Sequence, residues 1–278
     1  MSEINHNRQK KIAVINDYSG FGRCSLAVEL PIISKMKIQC CPLPTSIFSN
    51  HTGFKSFYFT DFTEHMSAYA AEWKKLDLEF NGICTGFLGS AEQIMIVENF
   101  LKDFGKKETI VVVDPVMGDY GHLYPTYDPE ICGRMKNLIK YADIITPNLT
   151  EACILVGCEY NEKYKNAEIE EIAVKLSKMG PKKIVITGIP RGHFISNYCF
   201  EEGKESYMIK TAKVGTQRSG TGDIFTSIVV ADAVNDVDFH ESIKKASHFV
   251  KKCILKGIEM DIPLTDGVPY EELLDRLK

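Results

Sequence analysis

Near residue 220 the chain reads Gly220-Thr221-Gly222-Asp223 and then turns apolar, Ile224-Phe225-Thr226-Ser227-Ile228-Val229-Val230. Glycines let a backbone turn tightly and approach a ligand closely. The first turn of a helix carries unpaired N–H groups and the positive end of the helix dipole. Together these make a pocket for phosphate oxygens. A carboxylate inside such a pocket costs electrostatic energy, so Asp223 is expected to serve the chemistry. It would receive or orient a substrate hydroxyl proton while a phosphoryl group sits on the amides. The dipole should favour its charged form and make it a weak base. The same tetrapeptide is also ordinary turn-then-helix punctuation.

Four other segments carry polar groups at turns. Asp114-Pro115-Val116-Met117-Gly118-Asp119 ends a β-branched run, where carboxylates can hold a hard cation or its waters; a plain strand exit is the simpler reading. Asn148-Leu149-Thr150-Glu151 has capping-box spacing, and Glu151 could also face a metal. Ser49-Asn50-His51-Thr52-Gly53 offers a wall of donors and acceptors for a polar heteroaromatic ligand, or simply a turn, and His51 is more readily a hydrogen-bonding residue than a base. Phe87, in Thr85-Gly86-Phe87-Leu88-Gly89-Ser90, either packs in the core or presents its ring to a planar substrate. Residues 120–129, rich in Gly, Tyr and Pro, read as a flap over the site or an inert loop.

The elements that must position these groups alternate strand and helix. Strands are predicted at 11–16, 38–44, 57–60, 82–85, 109–114, 143–146 and 183–187, with a hairpin at 194–200 and 205–211. A polar turn over residues 17–20 is expected to end the first strand. Helices are predicted at 24–34, 63–76, 90–105, 221–234 and 239–258, with Ser90 as N-cap and Gly105 as stop. The run at 109–114 suits a parallel strand buried on both faces. The pattern is α/β: a three-layer α/β/α sandwich with a mostly parallel central sheet. In such sheets ligands sit beyond the carboxyl ends of the strands, where Asn16, Asp17, Asp114, Thr146, Asn148 and Thr187 all cluster. Residues 1–10 are expected to be a mobile tail and 11–278 a single domain.

The 278 residues carry a net charge of −4, 44% hydrophobic and 25% charged residues. That balance gives no footprint for nucleic acid or an anionic membrane surface. No apolar run reaches the ~18 residues of a membrane helix, and the N-terminus lacks the apolar core of a secretory signal. Nine cysteines without a C-x-x-C pair suit buried thiols in a reducing cytoplasm better than zinc or disulfides.

With these residues collected, the chain closely resembles the pyridoxal kinase branch of the ribokinase-like superfamily. The five signatures at 49–53, 86–90, 114–119, 146–151 and 220–223 occur in the family's order. The resemblance implies ATP-dependent phosphorylation of the 5′-hydroxymethyl group of pyridoxal, pyridoxine or pyridoxamine. It implies Asp223 as base and an anion hole from the amides of Gly220, Thr221 and Gly222. Asp114, Asp119 and Glu151 would surround Mg2+ and the phosphates. Thr146, Asn148, Thr187 and Tyr124 would contact ATP, and Thr52 the pyridine. Relatives also often use a monovalent cation, K+ or Na+, and form homodimers. Two departures stand out: Asp17 where the family usually has serine, and Phe87 where it often has tyrosine. A carboxylate at Asp17 could pair with a ring nitrogen or an amine, favouring pyridoxamine or another pyridine. Arg218 either offers charge to the phosphoryl group or is a solvated loop residue. The rival enzyme is a hydroxymethylpyrimidine kinase, against which residues 49–53 argue. The rival of another class is a non-catalytic vitamer-binding protein.

Overall fold

The computed structural model describes residues 5–125 and 127–277. In chain order its strands and helices are β1 (Lys11–Ser19), α1 (Leu26–Lys35), β2 (Gln39–Phe48), β3 (Phe59–Asp61), α2 (Thr63–Lys75), β4 (Gly82–Thr85), α3 (Ala91–Phe104), β5 (Ile110–Val113), β6 (Gly118–Asp119), β7 (His122–Leu123), α4 (Pro129–Leu138), β8 (Ile144–Ile145), α5 (Leu149–Val156), α6 (Asn166–Ser177), β9 (Lys183–Arg191), β10 (Phe194–Glu201), β11 (Tyr207–Ala212), α7 (Thr221–Val234) and α8 (Phe239–Glu259). Nine strands form one sheet in the order β11-β10-β9-β8-β5-β4-β1-β2-β3. The six from β9 to β2 run parallel, while β3, β10 and β11 add antiparallel edges.

Alternation along β1 divides the core. Ile12 and Val14 pack on the face covered by α1, α7 and α8, and Ala13 and Ile15 on the face covered by α2 to α6. Strand β5, Ile-Val-Val-Val, lies in the middle and is covered on both faces, as its unbroken β-branched run requires. Helix α7 is buried almost all round, because α1 and α8 flank it above the sheet. This packing fixes the start of α7 at the carboxyl edge of the strands. The predicted layers and mostly parallel sheet are those observed.

Two local features depart from expectation. The first strand does not turn at Asp17 but runs to Ser19, paired with Phe48 of β2, and a bulge between Asn16 and Tyr18 re-aims its side chains. Pro31 lies inside α1. Proline offers no N–H to the carbonyl four residues back, and the Tyr270 hydroxyl donates to that Ala27 carbonyl instead, at 3.0 Å. Ser90 caps α3 as predicted, accepting from the Gln93 N–H at 3.2 Å, and Gly105 follows its last turn. At the tail, the Asn7 side chain bonds to Asp77 and Glu79 across the foot of the sheet. Residues 1–4 of the expected tail lie outside the described residues.

Candidate active site

The N-terminus of α7 opens at the sheet edge with no side-chain cap. Gly220 holds φ +81°, and a Cβ there would stand 2.1 Å from the Arg23 carbonyl oxygen. Only glycine tolerates both demands. The Thr221 hydroxyl donates back to the Arg218 carbonyl at 3.1 Å, so no side chain caps the amides of Thr221 and Gly222.

Asp223 lies at this turn, and its carboxylate is tethered from two sides. The Asn16 amide donates to Oδ1 at 3.4 Å, and the backbone N–H groups of Ser25 and of Asp223 itself also donate. The expected weak base is not what the fold makes. Burial raises the Asp223 pKa, and these hydrogen bonds only partly offset the rise. Desolvation outweighs the dipole because the half-buried residue has its carboxylate drawn in against β1 and the Ser25 backbone.

Three more acids lie nearby, Asp17 and Glu29 buried and Asp114 half-buried. Asp17 is 7% exposed, and burial pushes its carboxyl up to about 6 despite hydrogen bonds from Ser25 at 2.6 Å and Ser19 at 3.3 Å. These two hydroxyls engage both oxygens of the carboxylate that was expected to meet a ring nitrogen or amine. Asp114 is pushed up to about 7 by burial and by Asp223. Its Oδ2 accepts from the Thr226 hydroxyl at 3.1 Å, and Thr226 in turn meets Thr146 at 3.1 Å. Glu29 of α1, to which no motif in the sequence points, is 2% exposed, and burial drives its carboxyl well up. No lysine or arginine ion pair among the described residues includes any of these acids.

The Asn148–Glu151 capping box is present. Asn148 accepts from the Glu151 N–H at 3.0 Å, and Glu151 Oε2 accepts from the Asn148 N–H at 2.7 Å. Its other oxygen takes the Met117 N–H at 3.1 Å, and the Asn148 amide donates to the Gly118 carbonyl at 2.8 Å. Glu151 is 4% exposed, with its pKa raised by burial and by Asp114. Thr187 was expected to end a strand. It lies within β9, where the parallel pairing has ended and a lone bridge joins it to Asn148.

Asp119, the third predicted metal ligand, has both oxygens engaged by neighbouring loops. Its Oδ1 takes the Tyr120 N–H at 2.8 Å and its Oδ2 the Gln217 amide at 2.7 Å, while the Tyr120 hydroxyl also meets Gln217. The segment at 120–129 therefore starts at the turn of a small hairpin, β6 and β7, clasped to the loop before α7; Thr126 lies outside the described residues. Tyr124 is 39% exposed, and its N–H bonds the Met117 carbonyl. Among the described residues no three acid, histidine or cysteine side chains are gathered to hold a metal. Asp114 and Glu151 still fit a hard cation that keeps most of its waters and binds through one or two carboxylates. They are oxygen donors, Glu151 buried and Asp114 half-buried, and neither is paired with a basic side chain among the described residues.

On the opposite wall, His51 accepts the Gly53 N–H at Nδ1, 3.0 Å, which leaves Nε2 to donate to the Thr265 carbonyl at 2.7 Å. Both ring nitrogens are used, so His51 shapes the loop, as its type suggested. Thr52 is exposed. Phe87 is half-buried, edge-on to Tyr127 at 6.0 Å, with its N–H bound to Asn16 at 2.8 Å. Arg218 matches neither reading. It is 7% exposed and donates to the carbonyls of Ile262, Pro263 and Gly267, pinning the C-terminal segment rather than facing a phosphate.

Comparison with known proteins bears on the family and the fold. The model of the phosphomethylpyrimidine kinase family matches residues 30–264. A hydroxymethylpyrimidine/phosphomethylpyrimidine kinase from Aquifex aeolicus is 31% identical over 183 residues, covering 64% of this chain and 68% of that protein. A provisionally named phosphomethylpyrimidine kinase from Bacteroides thetaiotaomicron is 38% identical; one crystal form superposes with TM-score 0.96 over 99% of this chain and 96% of that one. A second form, containing pyridoxal, superposes with TM-score 0.91 over 97% and 96%. Pyridoxal kinase from Lactobacillus plantarum is 26% identical, with TM-score 0.90 over 96% of each chain. Matched over most of its length and sharing the expected ribokinase-like fold, the chain belongs to the phosphomethylpyrimidine kinase family.

Proposed function

We propose that this chain transfers the terminal phosphoryl group of ATP to the 5′-hydroxymethyl group of pyridoxal, pyridoxine or pyridoxamine. The carrying observation is the half-buried, tethered Asp223 carboxylate beside the uncapped first turn of α7. Phosphoryl transfer is mostly positioning and charge stabilisation. The amides of Gly220, Thr221 and Gly222 take the oxygens of the group in transfer. Asp223 accepts the hydrogen bond of the alcohol and then its proton. Its raised pKa makes it a better base than an exposed carboxylate, a contribution of about 10²–10⁴-fold.

Thr146, Asn148, Thr187 and Tyr124 line the nucleotide side. Asp114 and Glu151 would hold Mg2+ through its waters, with Asp119 keeping the hairpin clasped. When bound, Mg2+ supplies neutralisation of phosphate charge. A monovalent cation would act on the same charge. Thr52, His51, Phe87 and Asp17 shape the acceptor side, Asp17 through its serines.

The form of the 38%-identical relative that contains pyridoxal supports the vitamer reading. The family match supports a second one, hydroxymethylpyrimidine as acceptor. Purified protein with Mg-ATP and a panel of pyridoxal, pyridoxine, pyridoxamine and hydroxymethylpyrimidine decides between them. Vitamer turnover exceeding pyrimidine turnover is expected, the reverse order selects the second reading, and binding without ATP consumption rejects both.

Seven buried cysteines and two half-buried ones, all free, support a cytoplasmic enzyme. No helix among the described residues is long and apolar enough to cross a membrane. The exposed aromatics Phe57, Tyr58 and Phe59 beside the acceptor wall support a homodimer, and residues 11–278 act as one domain in this reading.

A further inference from the structure

Asn16 is the most connected side chain at the site. Its Oδ1 accepts the N–H of Asp17 at 2.9 Å and of Phe87 at 2.8 Å. Two backbone donors on one oxygen leave the amide a single orientation, with Nδ2 facing the other way. That nitrogen has two hydrogens and two carboxylate neighbours, Glu29 Oε2 at 3.1 Å and Asp223 Oδ1 at 3.4 Å. The close fit extends to Gly86, where a Cβ would stand 2.3 Å from Nδ2 of Asn16.

Glu29 has no surface role. It is 2% exposed, on the face of α1 that packs with Leu26, Ile32 and Ile33 against the sheet and α7. A carboxylate there costs stability unless something is gained. We propose that Glu29 is a positioning residue for phosphoryl transfer: by anchoring Asn16 from below, it fixes the Asn16 amide against Asp223 and so holds the Asp223 carboxylate toward the alcohol. With the Glu29 acceptor removed, Oδ1 stays held but the amide can tilt about it, and the longer Nδ2 bond, the one to Asp223, is the one that loosens.

The inference rests on Asp223 being the base, and the test separates the two. Glu29→Leu, Asp223→Asn and the double variant are assayed at saturating Mg-ATP and vitamer. Glu29→Leu is expected to lose roughly tenfold or more in kcat, since small misplacements of a reacting group are costly. KM for ATP should stay within about twofold, and thermal stability should change little, because relief of the buried carboxylate offsets the lost acceptor for Asn16. In the Asp223→Asn background the same substitution should cost nothing further, because Glu29 acts only through Asp223. Glu29→Gln keeps an acceptor for Asn16 and should retain kcat within about threefold.

A Glu29→Leu protein with wild-type kcat overturns the proposal, as does an equal loss in both backgrounds. If Glu29→Leu does not fold, the near-isosteric Glu29→Gln decides: a tenfold loss that persists in the Asp223→Asn background overturns the proposal, and retained turnover supports it. If Asp223→Asn alone keeps most of its turnover, the catalytic reading itself fails, a result distinct from either.

Discussion

Two helices begin at the same edge of the sheet, and their first turns are built in opposite ways. At α5, Asn148 and Glu151 close a reciprocal capping box, and the second Glu151 oxygen takes a further N–H from Met117. The donors of that turn are spent on the protein. At α7 the N-cap is Gly220, with no side chain to accept anything, and the Thr221 hydroxyl turns away to Arg218. Both turns carry an acid three residues from the cap, Glu151 and Asp223, the first buried and the second half-buried, and desolvation raises the pKa of both. Glu151 is consumed by its own helix, whereas Asp223 is held by β1 and the Ser25 backbone. A satisfied helix end is architecture; an unsatisfied one, kept open by glycine beside a tethered acid, is a place for an anion to react.

The largest effect should come from the acid on the open turn. Asp223→Asn keeps shape and removes the base, so kcat should fall about 10²–10⁴-fold with ATP affinity nearly intact. Steady-state kinetics and nucleotide titration measure both. Retained turnover would erase the distinction between the two turns. Next comes the cap. Gly220→Ala demands φ +81° of a residue with a Cβ and drives that Cβ into the Arg23 carbonyl. A loss of about 3 kcal/mol in stability is expected, with a larger loss in kcat than Asn148→Ala gives. Denaturant melts and assays of the two variants side by side test whether the open turn is the more sensitive.

A third test uses pH. The folded Asp17 pKa is raised to about 6 from an ordinary 3.8, so ionisation opposes folding. Its stabilising contribution is whole below pH 4 and is lost as pH rises through 6. Asp17→Asn should therefore be more stable than wild type at pH 8, by about 3 kcal/mol, and the gap should close toward pH 4. Urea unfolding at both pH values measures it; a gap that stays constant with pH would mean that Asp17 is not held against its charge.

Much of this was legible in the residues. Strand β5 declared itself by its β-branched run and α7 by its apolar one, because burial on all sides permits nothing else. The cap of α3 and the box of α5 follow from side-chain reach over three residues, a local matter. What could not be read locally was decided by tertiary contact. Asp17 belongs to a strand because β2 pairs past it, and a bulge is set by the partner strand. Arg218 pins carbonyls more than 40 residues away in sequence. The base strength of Asp223 reversed because burial depends on α1 and β1, not on its own helix. Glu29 alone left an unread signal. It occupies the apolar stripe of Leu26, Ile32 and Ile33, where a carboxylate is out of place.

The smallest expected effect bears on the closed turn. Asn148→Ala removes the acceptor for the Glu151 N–H and the amide bond to the Gly118 carbonyl. A lost N-cap costs about 1 kcal/mol, which a thermal melt resolves. Glu151 keeps the Asn148 and Met117 N–H groups, since both bonds come from backbone. Its carboxylate should hold its place, while the β6–β7 hairpin loses its tie at Gly118. Activity should therefore fall through a higher KM for ATP, with kcat within about threefold. A kcat loss as deep as that of Gly220→Ala would mean that both helix ends act on the group in transfer, and that the division between a spent turn and an open one is wrong.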